Sequence, residues 1–157
     1  MANLIVPPAI PTLTVGGRVF TDLSNLIVLY GYASGTTTIY CSLGIATASA
    51  GYQVTSGKTL RILALEAHSV YTTAAAANGI LPGYTDDDVG MNSSTAGTNR
   101  VSVTAGAGSL IFPPVNSALA YSQMPIDWRI PATKYPGFVV QSTTLVGIGI
   151  RAFGYEV

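Results

Sequence analysis

Side chains able to do acid, base or nucleophilic chemistry are scarce in this sequence, and they stand far apart. His68 is the single histidine and Cys41 the single cysteine of 157 residues. Glu66 precedes His68 by two positions, so on an extended strand the two share a face. A catalytic triad would need the imidazole between a nucleophile and a carboxylate, and the spacing singles out none of the many serines. One histidine and one cysteine cannot furnish a zinc site. For a sugar-modifying enzyme, the carboxylates to test for convergence in a cleft are Glu66 and Asp127. Cys41 lies in the alternating run Thr38–Leu43 with no basic residue near it in sequence, which predicts a small buried side chain rather than a reactive thiol. No catalytic residue, cofactor or metal is therefore assigned, and the chain is read as a non-enzyme.

Three further patterns carry possible ligands. Gly57, Lys58 and Thr59 match the end of a phosphate-binding loop. Such a loop needs a glycine where Tyr52 stands and a helix where an alternating apolar run follows, so nucleotide binding is not expected. Asp86, Asp88, Gly90 and Asn92 fall at alternate positions and offer three oxygen ligands, a spacing that can wrap Ca²⁺. Gly97 stands where an EF-hand loop has its closing acid, and a solvated loop is the expectation. Trp128, between Asp127 and Arg129 in a chain with nine tyrosines, could form a sugar-stacking platform; burial of its ring is the competing expectation.

The elements that would position these residues are strands. In Gly51–Ala67 a short run (Tyr52, Gln53, Val54) meets a polar corner (Thr55 to Lys58), and a longer apolar run leaves it, which reads as strand, turn, strand. Alternation sets Leu60, Ile62 and Ala64 on one face and Arg61, Leu63 and Leu65 on the other. Both faces are largely apolar, so the second needs a cover: a sheet, a loop or another subunit. Gly16 and Gly17 form a turn, and strands are expected over Arg18–Leu23, Leu26–Tyr32 and Thr36–Leu43. Ala74–Ala77 has room for a turn or two of helix. Ile80–Tyr84, with Pro82, suits an edge or a loop. Short strands follow at Arg100–Val103 and Leu110–Phe112, Tyr121–Met124 is weak, and Asp127–Gln141 repeats the strand, corner, strand design. Thr144–Glu156 alternates most clearly, with Ile150 and Ala152 on one face and Gly149, Arg151, Phe153 and Tyr155 on the other. The bare Gly147 and Gly149 imply that something packs close there.

Strands recurring every ten or so residues, without a long amphipathic helix, give an all-β sandwich or barrel. Residues 15–157 form one domain. Residues 1–14, with three prolines among aliphatics, form an extended arm whose Leu4, Ile5, Val6 and Ile10 need a surface to lie on. Charged residues are 9% of the chain, seven basic against seven acidic. That leaves no field for nucleic acid and favours association. No window is continuously apolar enough to span a membrane, and the first residues lack the basic region of a signal peptide.

The pattern resembles the jelly-roll modules of tailed-bacteriophage virion proteins. The resemblance rests on three short motifs: Tyr52, Val54, Ser56, Gly57, Lys58, Thr59, Leu60 and Ile62; a second corner, Ile130, Pro131, Ala132, Thr133, Lys134 and Tyr135; and the closing Gly154, Tyr155 and Glu156. The loop from Gly83 to Asn92 is similar to one seen in some of these modules, and the resemblance covers roughly residues 51–157. It implies a jelly-roll β-sandwich with a structural role in the virion. The expected function is a capsid decoration (cement) protein: a homotrimer on the outer surface of the major capsid protein, touching neither nucleic acid nor membrane. Leu4, Ile5, Val6 and Ile10 of the arm, with Leu63, Leu65 and Tyr155 on the second faces, would make the contacts. The alternative is a receptor-binding fibre head or baseplate module, in which Trp128 and the Thr85–Gly97 loop meet a host glycan.

Overall fold

The computed structural model describes residues 11–33, 39–45, 51–71, 79–85, 101–102, 110–111, 119–141 and 145–157. The arm residues Leu4, Ile5, Val6 and Ile10, the Ala74–Ala77 segment and the Asp86–Asn92 loop lie outside them. The described secondary structure is all strand: β1 (Leu13–Val15), β2 (Arg18–Phe20), β3 (Ile27–Ala33), β4 (Ile39–Ser42), β5 (Leu60–Tyr71), β6 (Gly79–Thr85), β7 (Val101–Ser102), β8 (Leu110–Ile111), β9 (Leu119–Ile130), β10 (Tyr135–Gln141) and β11 (Leu145–Glu156). Leu13 and Thr14, assigned by sequence to the arm, belong to β1.

Two antiparallel sheets share one core. The first has the order β3-β11-β5-β9; the second runs β4-β10-β6-β7, with β8 also on β6. Leu29, Leu60, Ile62, Ile130, Ile150 and Ala152 of the first sheet meet Cys41 and Phe138 of the second, and Leu43 and Val54 fill in from the connections. Gly31 is required at this junction, because a Cβ there would come within 2.8 Å of both Leu43 and Phe138.

Prolines mark two departures from expectation. β6 is an interior strand rather than an edge: it pairs β10 along its whole length and, on its other side, β8 at Gly79–Ile80 and β7 at Gly83–Tyr84. Among the described residues, Pro82 falls in the gap between those two short partners, which suits a residue that lacks an N–H. Likewise β9 is one strand of twelve residues running through Pro125, not a weak segment followed by a separate strand. It is tolerated because β9 has a partner strand on one side only among the described residues.

The corners are not hairpins. Tyr52–Val54 forms no strand beside β5; Tyr52 N–H donates to Leu43, and Val54 exchanges bonds with Thr133 and Lys134 of the second corner. That second corner joins β9 of one sheet to β10 of the other.

The alternation expected along β5 slips by one residue. Register shifts against both neighbours fall between Ile62 and Ala64, the signature of a β-bulge. Leu60 and Ile62 before it, and Leu65 and Ala67 after it, therefore face the same core. Leu65 is 4% exposed and is not on the outer face to which strict alternation assigned it. Ala64 takes the outer side instead, in a second cluster with Val15, Phe20 and Phe153, and Leu63 packs against that cluster. The β1–β2 hairpin supplies this cover from within the chain. Its turn has positive φ at Gly16 (56°) and Gly17 (78°), as a two-residue hairpin turn demands.

Candidate functional site

The conspicuous short motifs meet at one end of the molecule, and they hold one another. Glu156, at the end of β11, accepts the Tyr52 hydroxyl at 2.6 Å and the Thr55 N–H at 2.8 Å. Thr59 and Val157 exchange both backbone bonds at 2.9 Å. The Gln53 amide donates to the Thr133 carbonyl, and Thr133 sits at positive φ (66°) in the second corner. Burial raises the Glu156 pKa, but the Thr55 and Tyr52 bonds and the Lys58 charge outweigh it, so the carboxyl stays below its usual range. Burial and the same carboxylate push the Tyr52 phenol up. Glu156 is thus a bracket between chain segments, which accounts for the motif without catalysis.

Beside this bracket lies an open groove of about 720 Å³, lined by Asp22, Asn25, Ile27, Lys58 and Tyr155 among others. Asp22 is engaged by its own loop: Ser24 Oγ donates to it at 2.8 Å and Asn25 Nδ2 at 2.9 Å, bonds that lower its pKa. Tyr155 packs its ring on Phe20, centroids 6.0 Å apart. Partial burial and then the Asp22 charge raise its pKa.

The outer face of the first sheet beyond the hairpin is the second candidate. Register sets Tyr30, Arg151, Glu66 and Gln123 in one row across β3, β11, β5 and β9, and Tyr32, Gly149 and His68 in the next. Tyr30 is 40% exposed and Tyr32 67%. Glu66, 7% exposed, has its Oε2 3.2 Å from Arg151 Nε. The exposed His68 lies against Gly149, where a Cβ would meet its imidazole at 2.6 Å. This is the close packing that the bare glycine implied.

Glu66 and Asp127 do not converge. Glu66 stands opposite Gln123, and Asp127 is four residues further along β9, roughly 13 Å at strand spacing. Asp127 is gripped by Arg61 at 2.7 and 3.0 Å, with Arg129 at 3.7 Å. Trp128 is 3% exposed inside the main core, so its ring is no surface platform, and its indole N–H has no hydrogen-bond partner among the described residues. Among the described residues, no three His, Cys, Asp or Glu side chains gather as a metal site would require. Of the expected contact residues, then, Leu65 and Trp128 are in the main core, Leu63 is half-buried under the hairpin, and Tyr155 borders the groove. Among the described residues, the aromatic side chains classed as exposed are Tyr30 and Tyr32. The sequence carried their signal, since they flank Gly31 and alternate with the core residue Leu29. It could be read only once β3 was known to be an edge of its sheet.

No family model matches the chain, and neither a curated protein nor a solved structure matches it.

Proposed function

We propose that this chain is a jelly-roll structural protein of a tailed-phage virion, acting as a capsid decoration protein that binds the outer shell as a trimer. The observation that carries the reading is the closure of the resembling motifs on one another. Glu156, the first corner and the second corner are distant in sequence and joined by direct hydrogen bonds, as parts of one module would be. The strand order supports the jelly roll. Consecutive strands step between sheets, so β3, β5, β9 and β11 build one, while β4, β6 and β10 build the other with β7 and β8 beside β6. Exposed Val19 and Ile45, in a chain with few charges, are consistent with surfaces that close on neighbours. The hairpin lid narrows that argument, because the chain itself covers much of the outer apolar face.

The mechanism is burial of apolar surface against the shell, at about 25 cal/mol per Å². Sedimentation equilibrium of the purified chain is expected to show a trimer, and quantitative mass spectrometry of particles hundreds of copies. A monomer at every concentration, together with absence from particles, counts against the reading. The second reading, a receptor-binding head, draws on the exposed Tyr30 and Tyr32, and a few to a few dozen copies per particle would select it.

A further inference from the structure

We infer that the outer face of the first sheet, beyond the hairpin, is a carbohydrate-binding face centred on Tyr30 and Tyr32. The inference is independent of capsid decoration, since it concerns a surface that the motif bracket and the hairpin leave open. Its basis is the grid of side chains. The two tyrosines stand two residues apart on one strand, roughly 7 Å, and the rows they head run across strands spaced about 4.8 Å. In the first row Tyr30 is followed by Arg151 and then Glu66; in the second Tyr32 is followed by Gly149 and then His68.

This arrangement matches the two-sided chemistry of a pyranose. The C–H face of a sugar is apolar and stacks on an exposed aromatic ring, while its hydroxyls both donate and accept. Tyrosine offers that ring with few rotatable bonds to freeze. Arg151 and Glu66 hold each other at 3.2 Å, so the guanidinium and carboxylate are oriented before a ligand arrives. A guanidinium has five donors, more than one such pair consumes, and the Arg151 side chain is 44% exposed. His68, held against Gly149, adds a further polar edge beside Tyr32.

Other ligand classes fit less well. A protein partner is best served by an apolar centre within a polar rim; here the rings lie on the edge strand and the ion pair lies inward. Nucleic acid needs unbalanced positive charge, and Arg151 is matched by Glu66.

The test is calorimetric titration of the full chain with chitopentaose, maltopentaose, cellopentaose and a mannan oligosaccharide, each to about 10 mM. At least one is expected to bind. Tyr32→Ala and Tyr30→Ala should weaken that binding about tenfold or more with melting temperature unchanged, and Tyr32→Phe, which keeps the stacking surface, should retain it within about threefold. Lys58→Ala in the groove should leave binding as it was. Failure of all four sugars to bind overturns the inference, and so does binding that survives both alanine variants or is lost only with Lys58. None of these results depends on copy number or oligomeric state, so the virion reading stands or falls separately.

Discussion

Gly154 occupies the point where the β5 bulge brings two backbones together, and a Cβ there would strike the Arg61 carbonyl oxygen and come within 2.9 Å of Ile62 Cα. Neither backbone atom can step aside, so Gly154→Ala is expected to cost about 2 to 3 kcal/mol in a denaturant melt. At Gly149 the obstacle is the His68 ring, which can swing outward, and Gly149→Ala should cost less than about 1 kcal/mol. Trp128 offers a different contrast. Its buried N–H has no partner among the described residues, and an unsatisfied donor offsets part of what the ring contributes. Trp128→Phe is therefore expected to stay within about 1 kcal/mol of the parent, whereas Ile130→Ala in the same core should lose about 2 to 5 kcal/mol. Glu156 governs part of the acid limb. Its folded pKa is depressed below 4.5, so its stabilisation is present above pH 4.5 and is lost as pH falls through the lower folded value. Glu156→Gln should lower stability at neutral pH and flatten the decline below pH 4.5, as read from urea midpoints across pH.

The β1–β2 hairpin acts as a lid on the outer face of the first sheet, and Phe20 is its anchor, with its ring on Phe153 and Tyr155. Phe20→Ala should cost about 3 to 5 kcal/mol and raise binding of a hydrophobic dye. A deletion that reaches Thr14 cuts into β1 and no longer tests the arm alone. Much of this level was legible in the sequence. The glycine pair predicted the hairpin turn, the strict alternation of Gly149–Tyr155 predicted the two faces of β11, and the run around Cys41 predicted a buried thiol. The bulge in β5 was not legible, because a slipped register leaves the apolar pattern of Leu60–Ala67 nearly unchanged while moving Leu65 from outside to inside. Nor were the roles of Pro82 and Pro125, which depend on what lies across a neighbouring strand. The candidate sugar face was hidden for the same reason: its rows join residues of four strands and exist only through the register.

At the scale of the molecule, the outer edge of β9, which has no partner strand among the described residues, bears on how copies could associate. Pro125, Asp127 and Arg129 interrupt it, and Asp127 is committed to Arg61 across the sheet. Charges and proline on an edge discourage strand-to-strand pairing. Replacing Asp127 and Arg129 together by valine should turn that edge into a template, seen as rising light scattering at concentrations where the parent stays clear. Association of the parent is then expected through faces and loops. The core itself holds a built-in reporter. The Cys41 thiol, 4% exposed between the sheets, donates to the Tyr32 carbonyl at 3.2 Å, and burial pushes its pKa up to about 12. A maleimide cannot modify it while the layers are closed. Because the sequence has one cysteine, the rate of its alkylation is a stopwatch for how often the two layers part, and any partner that clamps them should slow the clock.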